Sequence, residues 1–239
     1  MAGKLYGIGV GPGDPELMTI KAVEILKTAG HVFAPVSRNN GASIACDIAK
    51  KYIPEQTPIS FLLFPMLKDK EQLSGQWMDN YRAIEQVIRQ GVDCAFITLG
   101  DPSTYSTFAV MQRHFAQHAP DILIETIPGI TSFAFAAAQA GMPLVEGNEI
   151  LSIVSGNDSA ERVAEIIDCA DTVVFLKTYR NRDRLLKIID EKGLTRSCTY
   201  VQKCGMDGEG IVHDMEKLAG NPEYLSLIVL KKNRQGRNE

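Results

Sequence analysis

The sequence predicts an α/β protein of two domains, each a sheet covered by helices. Three observations predict it. Short apolar runs alternate with segments of helical periodicity along the whole chain. Several of the apolar runs end in glycine- or proline-containing turns. The 239 residues are long for one compact domain and comfortable for two.

Leu5 to Val10 is an apolar run ending in glycines and reads as a buried strand. Gly11-Pro12-Gly13-Asp14-Pro15 breaks it, and a helix follows through Thr19 to Ala29, with Leu17, Ile20, Val23 and Leu26 on one face. Asp14 and Thr19 are alternative caps for that helix. His31 to Val36 is a second strand. A long helix is expected from about Ser74 to Gln90, where Trp77, Tyr81, Ile84 and Ile88 form a stripe that reads as core packing. Cys94 to Leu99 is a buried strand, Phe108 to His118 a helix and Leu123 to Ile127 a strand. Thr131 to Ala140 is a helix closed by Gly141 and Pro143.

The second half repeats the alternation. Ile150 to Val154 is a strand, Ala160 to Cys169 a helix, Thr172 to Leu176 a strand, Arg182 to Glu191 a helix and Thr199 to Lys203 a strand. A helix around Asp214 to Leu218 and a strand from Leu225 to Leu230 finish the chain. The last strands lie close together in sequence, so the second sheet is expected to be mixed. The domain boundary is placed near residues 119–122, giving domains 1–120 and 121–239.

Composition excludes some functions. Hydrophobic residues make up 45% of the chain, which supplies a core and argues against disorder. The formal net charge of -4 speaks against nucleic acid as a partner. The one basic run, Lys231, Lys232, Arg234 and Arg237, reads as a frayed terminus. Five cysteines form no CxxC pair, and with four scattered histidines they give no zinc spacing, so reduced thiols and no protein-held metal are expected. His114 and His118, four apart on a helix, read as a solvated or partly buried pair. The chain lacks a signal-peptide pattern and any run of roughly 18 apolar residues. A soluble, cytoplasmic protein with no membrane partner is the expectation.

Three turns stand where open α/β sheets hold ligands, beyond the carboxyl ends of strands. They are Gly7-Ile8-Gly9-Val10-Gly11-Pro12-Gly13, Leu99-Gly100-Asp101-Pro102 and Pro128-Gly129-Ile130-Thr131-Ser132. The first invites a dinucleotide-binding reading but fails it twice. Position 12 is proline, and the second strand ends in Phe33-Ala34-Pro35-Val36 with no acid for ribose hydroxyls. Asp101 follows an apolar strand, where folding alone requires no carboxylate; it reads either as a ligand-binding group or as a turn-former bonding its own backbone.

At these turns the sequence resembles the tetrapyrrole methylases, the class III methyltransferases. Gly9-Val10-Gly11-Pro12-Gly13-Asp14-Pro15-Glu16-Leu17, with Thr19 and Lys21-Ala22, is similar to the family's first signature. Gly100-Asp101-Pro102 followed by Tyr105 is similar to the second, and Pro128-Gly129-Ile130-Thr131-Ser132 to the third. Within the family the chain resembles the precorrin-2 / cobalt-factor II C-20 methyltransferases. His31-Val32-Phe33-Ala34-Pro35, Leu63-Phe64-Pro65-Met66, Val173-Val174-Phe175-Leu176-Lys177 and Tyr224-Leu225-Ser226-Leu227-Ile228 carry that likeness. Enzymes of the first two ring methylations have aspartate where Pro35 stands, which points this chain to a later step of cobalamin biosynthesis.

The resemblance implies the tetrapyrrole methylase fold with its ligand cleft between the domains. It implies S-adenosyl-L-methionine as methyl donor, a small-molecule tetrapyrrole as acceptor and a homodimer. Cobalt, where present, arrives inside the substrate. Donor contacts carry over to Pro12, to Leu99, Gly100, Asp101 and Thr104, and to Thr131 and Ser132. In the second domain they fall near Lys177, where relatives often have methionine, and near Gly205-Met206. Tyr105 is a candidate for lining the pocket. The nucleophile is a meso carbon of the ring, so no activated Ser, Cys or His is required, and no catalytic base is assigned. Rival readings are a family member acting on another precorrin, on protein or on RNA, a nicotinamide-dependent oxidoreductase, and a binding protein that keeps the fold without turnover.

Overall fold

The computed structural model describes residues 2–37, 42–65, 70–213, 215, 218, 220 and 222–232, with 70–74 as backbone only. It divides into two compact units, Met1–Thr131 and Ser132–Glu239.

The first unit is built on a five-stranded sheet of order β3-β2-β4-β1-β5. Its strands are β1 (Leu5–Gly9), β2 (His31–Val36), β3 (Ile59–Leu63), β4 (Cys94–Thr98) and β5 (Ile124–Ile127), and every pairing is parallel. β4 is buried at every residue, so its sequence, Cys-Ala-Phe-Ile-Thr, does not alternate with polar residues. The helices are α1 (Ile20–Thr28), α2 (Ile44–Ala49), α3 (Lys70–Arg89) and α4 (Thr107–His118). The stripe foreseen on α3 is core: Tyr81, Ile84 and Ile88 are buried with Phe108, Met111 and Phe115 of α4 against Leu5, Phe33 and Phe96 of the sheet, with Trp77 packed on the same cluster. α1 contacts β1, and α2 contacts β2 and β4. Both candidate caps are used. Asp14 accepts from the Glu16 amide (2.8 Å) at the head of a short 3-10 turn, Pro15–Leu17. Thr19 accepts from the Ala22 amide (3.2 Å) at the head of α1.

The second unit holds a sheet of order β6-β7-β10-β8-β9. Its strands are β6 (Leu151–Ser155), β7 (Thr172–Leu176), β8 (Cys198–Gln202), β9 (Gly210–Val212) and β10 (Ser226–Lys231). β6 and β7 are parallel and the other pairs antiparallel, which is the mixed sheet expected. α5 (Ser132–Gln139) opens the unit. α6 (Ala160–Cys169) and α7 (Arg182–Glu191) bury Val163, Ile167, Leu185, Ile188 and Ile189 against Val173, Phe175, Tyr200, Ile228 and Leu230.

The structure differs from the sequence reading in places. The division lies after Thr131 rather than near 119–122, because β5 pairs with β1 and so belongs to the first sheet. α2, β3 and β9 were not foreseen, and α3 begins at Lys70, a turn before Ser74. Much of the helix expected around 214–218, Met66 of the Leu63–Met66 segment and residues 233–239 of the basic tail lie outside the described residues. Pro35, which lacks an N–H, stands beyond the last β2–β4 pair, Phe33 with Phe96.

Candidate functional site

β1 connects through α1 to β2, on one side of the β4–β1 pair, and β4 connects through α4 to β5, on the other. Strands whose connections leave in opposite directions open a crevice at their carboxyl ends. The first two loops meet there backbone to backbone. The Gly11 amide donates to the Gly100 carbonyl (3.2 Å) and the Gly100 amide to the Gly11 carbonyl (2.7 Å), both glycines having positive φ. The third loop joins them. A Cβ on Gly129 would lie 2.1 Å from the Gly100 carbonyl oxygen, and one on Gly9 would lie 2.6 Å from the same oxygen, so side chains are excluded where the three loops touch. Gly7, by contrast, serves packing, since a Cβ there would strike the Phe108 ring at 2.0 Å.

Asp101 ties this assembly together. One carboxylate oxygen accepts from the Ser103 amide (2.8 Å) and the Ser103 hydroxyl, as a turn-former does. The other accepts from the Gly129 amide of the third loop (3.1 Å). The second loop is pinned again at its far end, where Ser106 caps α4 through the Phe108 amide (3.1 Å) and shares a hydrogen bond with Thr98 of β4 (3.1 Å). The Thr104 amide donates to the Asp101 carbonyl (3.4 Å). Tyr105, between the two anchors, takes a left-handed backbone with φ +48°, which costs a non-glycine residue roughly 1–2 kcal/mol. Its side chain is 49% exposed. Pro12 of the first loop is buried and Leu99 half-buried. The first loop is braced from outside by Tyr52, whose hydroxyl donates to the Pro15 carbonyl (3.2 Å).

The first unit thus gathers Pro12, Leu99, Gly100, Asp101, Thr104, Tyr105 and Thr131 around one crevice or on the loops that form it. Ser132, Lys177, Gly205 and Met206 belong to the second unit. Lys177 follows β7 and Lys203 follows β8, each with a left-handed backbone (φ +59° and +50°), and the two strands flank the start of β10. Lys177 leads into a short turn, Thr178–Arg180, whose Thr178 hydroxyl bonds that of Ser226 (2.8 Å). The Lys203 amide donates to the Leu225 carbonyl (2.8 Å), and the Gly205 amide to the Glu209 carboxylate (2.6 Å). The Cys204 thiol contacts the Ser132 carbonyl (3.8 Å), which sets the loop carrying Gly205 and Met206 beside the head of α5. Burial, then the nearby Glu209 carboxylate, pushes that thiol up to about 11, which favours its neutral form at ordinary pH.

The supporting residues Ser103, Ser106 and Tyr52 were not singled out in the sequence. Asp101-Pro102-Ser103 carried a readable signal, since Asp with Ser two positions on is a side-chain-capped turn. Tyr52 carried none, because its partner is 37 residues away. His114 and His118 stack on each other (4.4 Å), and His114 also stacks on Tyr81 (4.0 Å). Burial lowers the His114 pKa, and His118 lowers it further. Among the described residues no group of three His, Cys, Asp or Glu side chains could hold a metal ion.

Comparison with known proteins gives a concordant result. The profile of the tetrapyrrole (corrin/porphyrin) methylases matches residues 4–219. The chain is 35% identical to a probable cobalt-precorrin-2 C(20)-methyltransferase of Methanocaldococcus jannaschii, over 96% of each chain. It is 30% identical to the cobalt-precorrin-2 C(20)-methyltransferase of Salmonella typhimurium, over 97% of this chain and 98% of that one. Among solved structures, uroporphyrin-III C-methyltransferase of Thermus thermophilus in complex with S-adenyl homocysteine superposes with a TM-score of 0.68. That pair is 21% identical, covers 96% of this chain and 98% of the other, and supports the likeness of fold.

Proposed function

The chain belongs to the tetrapyrrole (corrin/porphyrin) methylase family, and from that premise we propose that it methylates the C-20 meso carbon of precorrin-2 or cobalt-factor II, with S-adenosyl-L-methionine as donor. The observation that carries the proposal is the meeting of the three signature loops, backbone to backbone, at the carboxyl ends of β1 and β4. The step belongs to cobalamin biosynthesis, and a homodimer is part of the reading; a light-scattering mass of a single chain would refute that part.

Glycines at 9 and 129 let the three loops close directly on one another, since a Cβ at either would collide with neighbouring backbone. When bound, the donor supplies an electrophilic methyl group on a sulfonium. The protein's task is to hold sulfur, methyl and ring carbon in line and to keep water out. Leu99, Gly100 and Thr104 of the second loop are proposed contacts of the donor, and Pro12 stiffens the first loop. Thr131 and Ser132 follow the third loop. Lys177 and Gly205-Met206 are the proposed contacts of the second unit. Asp101 is in the set as the residue that locks the second loop to the third, and Tyr105 lines the site.

The test is single turnover with metal-free and cobalt-loaded rings, reading product mass and methyl position, beside calorimetry with S-adenosylhomocysteine. The expected product gains one methyl at C-20. Folded enzyme that binds no S-adenosylhomocysteine, or a methyl placed elsewhere, overturns the proposal.

A further inference from the structure

We propose that Tyr52 is a positioning residue for the methyl donor: its hydroxyl holds the first signature loop in the place where the donor meets it, without touching the donor itself. The inference deepens the methyltransferase reading and rests on it.

The first loop is anchored to the sheet at its start. Gly11 and Gly100 exchange both backbone hydrogen bonds, and the Val10 amide donates to the Thr98 carbonyl (3.0 Å). Beyond Gly11 the bonds turn local. Asp14 caps the Pro15–Leu17 turn through the Glu16 amide, the Leu17 amide donates to the Asp14 carbonyl (3.1 Å), and the Met18 amide donates to the Pro15 carbonyl (3.3 Å). Together with the restricted φ of Pro12 and Pro15, these bonds set the loop's shape. They do not set its place, because each joins residues no more than three apart. Among the described residues, 12–17 make one hydrogen bond to a distant part of the chain. It runs from the Tyr52 hydroxyl to the Pro15 carbonyl, 3.2 Å long and between residues 37 apart.

That bond does not rescue an orphaned acceptor. The Pro15 carbonyl already accepts from Met18, and its second lone pair takes the hydroxyl. A phenylalanine at 52 would pack as the tyrosine ring does, so what the hydroxyl adds is location. The ring stands on a firm base. Tyr52 closes the short turn Lys50–Tyr52 that continues α2, and Lys51 Nζ lies 5.0 Å from its ring centroid. α2 is capped by Ser43 and buries Ala45, Cys46, Ile48 and Ala49. It rests on β2 and β4, and the turn rests on α1. β4 is the strand from which the second loop leaves. Tyr52 thereby refers the outer part of the first loop to the strand that carries Gly100 and Asp101, and fixes the spacing of the two loops. A ligand held by both binds more tightly when that spacing is set in advance, because less freedom is lost on binding.

The experiment uses the full chain and two variants, Tyr52→Phe and Ser60→Ala. The first removes the hydroxyl and keeps the ring. The second removes another long-range hydrogen bond of the same unit, between the Ser60 hydroxyl and His31 Nε2 (2.9 Å), towards the amino ends of β2 and β3 and away from the three loops. Each is read by melting temperature, by calorimetry with S-adenosylhomocysteine, and by steady-state kinetics with donor and tetrapyrrole varied in turn. Both should melt within about 5 °C of the wild type, the shift expected of one net hydrogen bond in a chain of this size. Tyr52→Phe should weaken S-adenosylhomocysteine binding about 3- to 10-fold and raise the donor KM by a similar factor, while the tetrapyrrole KM stays within about 2-fold. Ser60→Ala should leave all three within about 2-fold, since sites that share no partner act independently. Unchanged donor affinity in Tyr52→Phe overturns the proposal and leaves Tyr52 a packing residue. An equal loss in Ser60→Ala also overturns it, by showing that any loosening of the unit reaches the donor. Wild-type enzyme that binds no S-adenosylhomocysteine defeats the methyltransferase reading itself, and that failure is recognised before any variant is made.

Discussion

Removing the Asp101 carboxylate leaves the Ser103 amide, the Ser103 hydroxyl and the Gly129 amide without the acceptor they share. Hydrogen bonds to a charged group contribute about 1.5–3 kcal/mol. The bond to Gly129 is the one that joins two loops, so its loss is expected to show in ligand binding. Asp101→Ala should weaken S-adenosylhomocysteine binding by roughly 10- to 100-fold, the equivalent of about 1.4–2.7 kcal/mol. The mode of action can be separated from a direct contact by using 5′-methylthioadenosine, which lacks the amino-acid end. A carboxylate that acts by locking the loops weakens both ligands alike, whereas one that grips the ammonium group weakens only the first. The sequence offered two readings of this residue, a turn-former or a ligand-binding group, and the turn was legible because Asp-Pro-Ser after an apolar strand is a local pattern. It did not show that the same carboxylate ties the second loop to the third, because Gly129 is 28 residues away.

Elements were legible in proportion to how much of their packing is written locally. The buried strands β1, β4, β7 and β10 are unbroken apolar runs, and α3 and α4 carry stripes that repeat with the helix, so they could be read directly. β3 and β9 are edge strands. Ile-Ser-Phe-Leu-Leu of β3 holds Phe61 at 57% exposure, against the usual sense of its hydrophobicity, and β9 is three residues long. α2, with six residues, is shorter than two turns and shows no period. β5 was read as a strand but given to the wrong unit, because its pairing with β1 spans more than a hundred residues. That edge strand is held by an ion cluster that makes a test of its own. Glu125 of β5 accepts from Lys21 of α1 and from Lys4 beside β1. The hydrogen bond from Lys21, then that from Lys4, holds its pKa down to about 2, below the ordinary 4.5. The unfolded chain therefore binds the proton first as pH falls. The cluster's contribution to stability is complete above about pH 4.5 and is lost as pH drops towards about 2. Glu125→Gln should flatten the fall of melting temperature with pH across that window, and the difference should shrink in high salt, since the group is partly open to solvent. A variant whose pH profile parallels the wild type would show that the cluster does not stabilise the fold.

For the whole molecule, ligand binding and folding are one equilibrium, so the proposed donor site has a thermal signature independent of turnover. A ligand that binds only the native state adds RT ln(1 + [L]/Kd), which is about 2.7 kcal/mol at a hundred times Kd. In chains of this size each kcal/mol moves the melting temperature by about 2–4 °C, so S-adenosylhomocysteine at that concentration should raise it by roughly 5–10 °C. The shift is expected in the transition that includes the first unit, where the three loops and their carboxylate tie are built from a single sheet. Asp101→Ala offers the internal control. If its affinity falls tenfold, the same ligand concentration is only ten times the new Kd, and the stabilisation drops to about 1.4 kcal/mol, roughly half the shift. Calorimetric affinity and thermal shift must then agree through one relation, with no free parameter. A full shift retained in Asp101→Ala despite weakened binding, or no shift in a wild-type protein that binds, would mean that the ligand meets the chain somewhere other than its folded glycine loops.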